Sequence, residues 1–181
     1  MPPETEISPL ASLEPIPYLD AEGHLPTQLE GKIGVYAIFD QAQTLQLISY
    51  SRDIYLSLKQ HLVRQPQRCY WVKVQTINRP SRTALENIQT AWLAEHSLTP
   101  PGNGPDQAKW NQPIDVKAVM TPEEQAHYAD PEIDEQSQRK VLKNAARRVE
   151  AAILAELKAR QVQEDLRFNP KLKDVGLLDL K

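Results

Sequence analysis

Two short runs of alternating apolar residues, joined by a four-residue turn, constrain the fold of this chain more than any other feature. The first run is Lys32–Asp40 (KIGVYAIFD) and the second is Leu45–Ser49 (LQLIS). Alternation with a period of two predicts strands with one face toward a core, and the short connection predicts that they form a hairpin. The predicted fold is therefore built around an antiparallel sheet.

Helical and extended segments follow this hairpin. The next segment has apolar residues at four-residue spacing, namely Ile54, Leu58 and Leu62, and this spacing predicts a helix. Cys69–Ile77 (CYWVKVQTI) is rich in strand-forming residues and predicts a third strand. A second helix has its own apolar stripe of Leu85, Ile88 and Trp92. The order β-β-α-β-α predicts the α+β class, with a small antiparallel three-stranded sheet.

The two ends of the chain differ from this central unit. Residues 1–16 are rich in Pro and Glu and have few large apolar side chains, so we expect a disordered N-terminal segment. The central domain then spans residues 17–113. Residues 114–181 form a helical extension, with a long helix over about 135–164, where neither Pro nor Gly occurs, and an irregular tail.

Charge is unevenly distributed along the chain, although the formal net charge is only −3. Residues 50–85 carry a net charge of +6, between acidic stretches of −6 each at 1–31 and 121–138. The basic stretch indicates a face for DNA or RNA, or equally a face that the chain's own acidic segments cover, or a set of solvated side chains. The candidate phosphate contacts are Arg52, Lys59, Arg64 and Arg68.

Composition limits the location and the cofactors. A single cysteine, Cys69, excludes a disulfide framework and a cysteine-rich zinc site. No apolar run approaches the ~20 residues that a membrane-spanning helix needs. The first residues also lack the basic and apolar regions of a signal peptide. We therefore expect a cytoplasmic protein that does not associate with membranes.

Three motifs, in order, resemble the GIY-YIG nuclease superfamily. They are Gly34-Val35-Tyr36 on the first strand, Leu47-Ile48-Ser49 on the second, and a helix that Ser51 leads and His61 ends. The resemblance covers residues 32–103, or about 40% of the chain. The stretch LQLISYSRDIYLSLKQHL, followed by TPPGN, is most similar to a branch of cyanobacterial proteins and the N-terminal domain of a plastid monothiol glutaredoxin.

The resemblance implies an endonuclease site that uses Mg²⁺, and this chain retains part of it. The family's first tyrosine, helix histidine and supporting asparagine correspond to Tyr36, His61 and Asn103. Its second tyrosine, its arginine and its metal-binding glutamate correspond to Leu47, Ser57 and Gln89. These three replacements lack the hydroxyl, the positive charge and the carboxylate that phosphodiester cleavage needs.

One carboxylate lies near the lost glutamate position. Glu86 is one turn before Gln89 and is a candidate ligand for a displaced Mg²⁺ ion. Losing one electrostatic stabiliser costs about 10²–10³ in rate, so losing several would leave little activity. The resemblance therefore implies a degenerate site, with Mg²⁺ as a cofactor only if the protein still cleaves.

Two functions remain open at this point. The first is a nucleic-acid-associated GIY-YIG domain with weak or no endonuclease activity. The second is a non-catalytic protein interaction or assembly module that binds through apolar residues of the long C-terminal helix, Leu142, Val149, Ile153 and Leu157. Cations that converge on the strand of Tyr36 would favour the first. Dispersed cations and an exposed apolar stripe on the helix would favour the second.

Overall fold

In a computed structural model, which describes residues 5–181, the chain divides into two compact units, Met1–Asn111 (unit 1) and Gln112–Lys181 (unit 2). The boundary predicted between residues 113 and 114 lies two residues from this division. Each unit has its own sheet and its own buried apolar residues. Within the described part of the chain, no helix has the length and apolar character needed to cross a membrane.

Unit 1 is built on a four-stranded antiparallel sheet in the order β1-β4-β2-β3. Its strands are β1 (Ile16–Pro17), β2 (Ile33–Phe39), β3 (Leu45–Ser51) and β4 (Trp71–Ile77). The β2 and β3 strands form the predicted hairpin, in which Tyr36 pairs with Ser49. β2 also pairs with β4 along its whole length and is therefore a central strand. The predicted α+β class and antiparallel sheet are confirmed.

The sheet has one strand more than the sequence predicts. Ile16 pairs with Val72 and Pro17 pairs with Trp71, so this two-residue strand adds to the outer side of β4. A strand of two residues has no detectable alternation, and proline is tolerated there because β1 is an edge strand.

Three helices connect and cover the strands of unit 1. They are α1 (Ile54–Arg64), α2 (Arg82–Ala94) and the short α3 (Gln107–Asn111). Side-chain caps begin the first two: Asp53 accepts the N–H of Leu56, and Ser81 accepts the N–H of Ala84. A single turn of 3-10 helix, Pro101–Asn103, lies between α2 and α3.

Alternation along β2 separates two buried layers. One face of the sheet packs against α2, in a core cluster of Leu10, Val35, Ala37, Ile48, Leu85, Ile88 and Trp92. Tyr36 lies between Val35 and Ala37 on β2, so its side chain points to the opposite face of the sheet. There it contacts His61 of α1. The two faces of the hairpin therefore have different roles: one contributes to the apolar core cluster, and the other buries the Tyr36–His61 hydrogen bond.

Two glycines are required by close approaches in unit 1. A methyl group at Gly34, the first residue of the GVY motif, would collide with the carbonyl oxygen of Gln75 on β4. A methyl group at Gly102 would lie 2.8 Å from the carbonyl oxygen of Gln46 and 3.0 Å from Cδ1 of Trp110. At each glycine a backbone carbonyl oxygen lies too close to leave room for a methyl group. Both positions therefore exclude any residue larger than glycine.

Residues 6–13 cross the face of the sheet on the side of α2, and we call this segment the strap. Its Leu10 side chain is only 2% exposed and belongs to the core cluster. This differs from the disorder expected over 1–16, of which residues 1–4 lie outside the described residues. The expectation failed because the partners that order the strap lie more than 60 positions away in the sequence.

Unit 2 combines a small sheet with three helices. The strands β5 (Ile114–Asp115) and β6 (Leu177–Leu178) pair antiparallel. The helices are α4 (Pro122–Tyr128), α5 (Glu135–Ala159) and α6 (Pro170–Lys173). The long C-terminal helix is thus confirmed as α5, although it ends five residues before the predicted end. The chain leaves the helical path at Gln161, whose φ of 61° is in the left-handed region.

The apolar stripe of α5 is largely used inside unit 2. The helix packs against α4, α6, β6 and the 3-10 turn Val116–Val119. Its Leu142 and Leu157 are 6% and 2% exposed, whereas Val149 and Ile153 are half-buried. Two of the four residues predicted to bind a partner are therefore core residues of unit 2, and the stripe is not an exposed ridge.

Candidate active site

Tyr36 and His61 meet on the face of the sheet that packs against α1. The Tyr36 hydroxyl lies 2.7 Å from Nε2 of His61, and Nδ1 of His61 lies 3.0 Å from the carbonyl oxygen of Trp110. Because a carbonyl oxygen only accepts, Nδ1 carries the proton, and Nε2 accepts from the Tyr36 O–H. Arg64 donates from Nη1 to the same carbonyl at 3.0 Å. One chain of hydrogen bonds thus runs from β2 through α1 to α3.

This pair is sealed from solvent. Tyr36 is 2% exposed, His61 is 3% exposed and Trp110 is fully buried. The His61 ring is tilted against the rings of Tyr36 and Trp110, with centroids 5.6 Å apart in both contacts. Trp110 on α3 therefore covers His61 on the side away from the sheet, and the site has no opening for a phosphodiester.

Burial holds both side chains neutral. Desolvation raises the pKa of Tyr36 to about 12, because the phenolate is disfavoured away from water. Desolvation also lowers the pKa of His61 to about 3, and the positive charge of Arg64 acts in the same direction. A general base works best with a pKa near the operating pH. Neither residue meets that condition.

Serine hydroxyls complete the polar network. The Ser49 hydroxyl donates to the oxygen of the Tyr36 phenol, and the Ser57 hydroxyl lies beside the same oxygen. Ser57 donates its own proton to the hydroxyl of Ser51 at 2.7 Å. Ser57 stands where the resemblance implies an arginine. Its small hydroxyl closes the network internally, without the fixed positive charge that a scissile phosphate would need.

Leu47 stands where the resemblance implies a second tyrosine. It pairs with Ile38 across the hairpin and is 1% exposed. A methyl group on Gly102 would lie 2.9 Å from its Cδ1 atom. The position is therefore filled by an apolar side chain packed beneath the Pro101–Asn103 turn.

Asn103 and Gln89 meet at the outer edge of β3 rather than beside Tyr36. Asn103 accepts the N–H of Ile48 at 2.8 Å through Oδ1 and donates to the Ile48 carbonyl at 2.7 Å through Nδ2. Gln89 donates to the same carbonyl at 3.0 Å. The Asn103 amide thus imitates a neighbouring strand and satisfies an edge that would otherwise be open.

Glu86 lies on the other face of the hairpin. It forms a 2.7 Å ion pair with Arg82 and accepts a 3.4 Å hydrogen bond from Tyr50. Tyr50 is opposite Val35, so it lies on the face away from Tyr36. Among residues 5–181, no three His, Cys, Asp or Glu side chains are placed to hold a metal ion. Because Glu86 is held by Arg82 on the face away from Tyr36, and Gln89 is bound to a backbone carbonyl, these donors do not fit the Mg²⁺ ion that the resemblance implies beside Tyr36.

The four predicted phosphate contacts are dispersed. Arg68 pairs with Asp106 at 3.2 Å, and Arg64 is directed inward to the Trp110 carbonyl. Arg52 is exposed in the turn before α1, and Lys59 is half-exposed in the middle of that helix. Only these last two remain on the outer side of α1. The sequence had no periodic signal for the role of Arg64, because its partner is contributed by a short helix 46 residues later.

Comparison with known proteins found one informative relative. Over 104 residues the chain is 32% identical to the bifunctional monothiol glutaredoxin-S16, chloroplastic, of Arabidopsis thaliana. The match covers 55% of this chain and 31% of that protein, so the chain spans about a third of the length of the relative. A scan against models of protein families found no match. The single cysteine, Cys69, is buried with Sγ 3.6 Å from the His61 carbonyl oxygen, so it is not an accessible thiol.

Proposed function

We propose that unit 1 is a GIY-YIG-type domain that does not cleave, and that it associates with nucleic acid. The observation that carries the loss of cleavage is the sealed hydrogen bond between Tyr36 and His61 beneath Trp110. Cleavage needs a base exposed to water, a positive charge at the phosphate and a hard oxygen ligand for a metal. In this domain, the base is buried and neutral, Ser57 replaces the charge, and Gln89 bonds to a backbone carbonyl.

Nucleic-acid association is supported by the resemblance and by the outer side of α1. Arg52 and Lys59 enter no ion pair within the described residues. Leu56, between them, is 55% exposed and adds an apolar contact. Two cations give weak, salt-dependent binding without sequence specificity, because phosphate contacts supply affinity but not readout of bases.

The experiment measures cleavage and binding on the full chain. With Mg²⁺, we expect no cleavage of plasmid or single-stranded DNA above background. Cleavage that disappears in Tyr36→Phe would overturn the proposal. In fluorescence anisotropy, affinity for DNA should fall steeply between low and physiological salt.

Single variants identify the binding surface. Arg52→Ala and Lys59→Ala should each reduce the slope of log affinity against log salt by about one unit. The matched control is Arg139→Ala, which removes an exposed arginine of α5. Binding that is independent of salt, or equal slopes in all three variants, would refute the nucleic-acid part of the proposal while leaving the loss of cleavage intact.

A second candidate function is association with a partner protein, and the plant relative favours it. That relative is by name a monothiol glutaredoxin, and this chain matches 31% of its length. The only cysteine of this chain, Cys69, is buried, so an accessible thiol would have to come from another protein. We propose a separate monothiol glutaredoxin as the partner. The candidate contact on unit 2 is a hollow of about 190 Å³ lined in part by Leu154, Leu157 and Leu166.

Calorimetric titration with a purified monothiol glutaredoxin tests this candidate. Leu154 is 39% exposed, so Leu154→Asp should weaken binding at least tenfold without unfolding unit 2. Leu98→Asp is the control, because Leu98 is 81% exposed and belongs to unit 1. No heat of binding for the unchanged chain excludes this class of partner.

A further inference from the structure

The strap is held by side chains that bond to its backbone. Gln75 of β4 donates to the carbonyl of Glu6 at 2.7 Å and accepts the N–H of Ser8 at 3.0 Å. The indole N–H of Trp92 donates to the carbonyl of Ser8 at 2.9 Å. A side-chain amide that satisfies both polar groups of a backbone takes the place of a neighbouring strand.

Leu10 is the one deeply buried side chain of the strap. The Glu95 carboxylate accepts the N–H of Leu10 at 2.7 Å and that of Ala11 at 3.2 Å. Lys73 donates to the Leu10 carbonyl at 3.2 Å. Most other strap side chains, among them Ile7, are exposed. Leu13 is half-buried against the same core cluster. The channel between β4 and α2 therefore recognises a backbone, one deeply buried leucine and a half-buried aliphatic side chain three residues later, and very little else of the strap's own sequence.

We propose that this channel is a peptide-binding groove, which the strap occupies within its own chain and an extended segment of a partner protein occupies when the strap leaves. The required chemistry follows from the contacts. The segment needs one aliphatic anchor in the place of Leu10. It also needs a backbone N–H at the anchor and at the residue after it, for Glu95, and at the residue two positions before the anchor, for Gln75. Proline has no backbone N–H and is therefore excluded from those three positions.

The strap is suited to leave the groove. It has a single deep anchor, and Glu95, which accepts two of its N–H groups, is exposed to water. Segments with few buried apolar contacts and solvent-exposed hydrogen bonds open at lower free energy than core strands do. Because the strap is tethered to the groove by its own chain, its local concentration is high and it competes with an external peptide. The unchanged protein should therefore bind such a peptide weakly.

A labelled peptide of residues 5–14, titrated into the full chain and followed by fluorescence anisotropy, tests the groove. Leu10→Asp removes the anchor of the chain's own strap and should strengthen peptide binding at least tenfold. Adding Glu95→Gln to the Leu10→Asp chain should weaken peptide binding again. Adding Glu123→Gln, which lies in unit 2, should leave peptide binding unchanged. A peptide carrying Ala11→Pro lacks one N–H for Glu95 and should bind at least tenfold less tightly.

Three results would overturn the groove or its occupant. The first is absence of saturable binding to a Leu10→Asp chain that circular dichroism shows to be folded. If that variant does not fold, the unchanged chain is titrated by NMR. A saturable change in the chemical shift of the Trp92 indole N–H then supports the groove. The second overturning result is the absence of any such change at about 1 mM peptide. The third is a concentration-dependent dimer of the unchanged chain that Leu10→Asp abolishes, which would identify the strap of a second copy as the occupant.

Discussion

The Tyr36–His61 hydrogen bond lies where water does not reach, and burial sets the properties of both residues. The phenol keeps its proton and donates it to a neutral imidazole, whose other nitrogen is fixed by the Trp110 carbonyl. In an open site the same two side chains would titrate and exchange protons with solvent. Inside unit 1 they act as a structural link between β2, α1 and α3.

Acid should destabilise the protein through His61. The pKa of His61 is about 3 in the folded chain, against an ordinary value of 6.5, so between these values the unfolded state binds a proton that the folded state excludes. The free energy of unfolding should therefore fall by about 1.4 kcal/mol for each pH unit as the pH drops through this window. Urea unfolding between about pH 3 and 7 measures this slope.

Two variants separate His61 from the carboxylates that also titrate in acid. His61→Gln preserves an acceptor for Tyr36 and a donor for Trp110, and it should make the slope shallower. His96→Gln changes an exposed histidine and should leave the slope as it is. An equal slope in His61→Gln and the unchanged chain would show that this histidine is not buried neutral.

The segment from Pro101 to Asn111 performs two tasks at the scale of the structural element. At its start, Asn103 closes the outer edge of β3. At its end, Trp110 covers His61. The irregular start of this segment thus replaces a fifth strand, and its helical end, α3, supplies the cover. Each part contributes one side chain at a place where a polar or apolar group needs a partner.

Asn103→Ala should expose the edge of β3. The N–H of Ile48 and one bond to its carbonyl lose their partner, which should lower the free energy of unfolding by about 1–3 kcal/mol. The freed edge can pair with another molecule, so we also expect more association at high protein concentration. Urea unfolding and static light scattering measure the two effects.

The control for this variant is Asn111→Ala, in which an exposed asparagine loses only a bond to Gln107. Equal stability and equal scattering for the two variants would contradict the role of Asn103 at the edge.

The sequence predicts those elements whose signal is local. The KIGVYAIFD run alternates over enough residues to predict β2, and the spacing of Ile54, Leu58 and Leu62 predicts α1. The strap, β1 and the seal over His61 depend on contacts between distant residues, so no local pattern announces them. The resemblance singles out Tyr36 and His61 as site residues, but their hydrogen bond is seen only in the structure. Their burial depends on Trp110, 49 residues beyond His61.

At the scale of the whole molecule, each unit closes its own core. Unit 1 buries Trp92 and Trp110, and unit 2 buries Leu142, Leu157 and Phe168. In unit 2 the end of the chain is tied back by β6 and by a bridge between Phe168 and Leu180. Each unit therefore contains the long-range contacts that a small domain needs in order to fold alone.

Fragments 1–111 and 112–181 should both fold when they are produced separately. The sum of their circular dichroism spectra should reproduce the spectrum of the intact chain, and fragment 1–111 should keep the acid transition assigned to His61. An unfolded fragment 1–111 would show that unit 1 depends on unit 2, and it would contradict the division at residue 111.

The two glycines that admit no side chain have a consequence for how this chain is recognised. Gly34 is the first letter of the GVY motif and Gly102 belongs to the TPPGN stretch, and both are demanded by neighbouring backbone and side-chain atoms. A residue whose side chain carries chemistry can be exchanged without disturbing this packing, but neither glycine can be enlarged. A lineage that changes its chemistry would therefore keep these letters for as long as it keeps the fold. Such letters report how the backbone is packed, and a search that relies on them will collect chains of one architecture whatever reaction they do or do not catalyse.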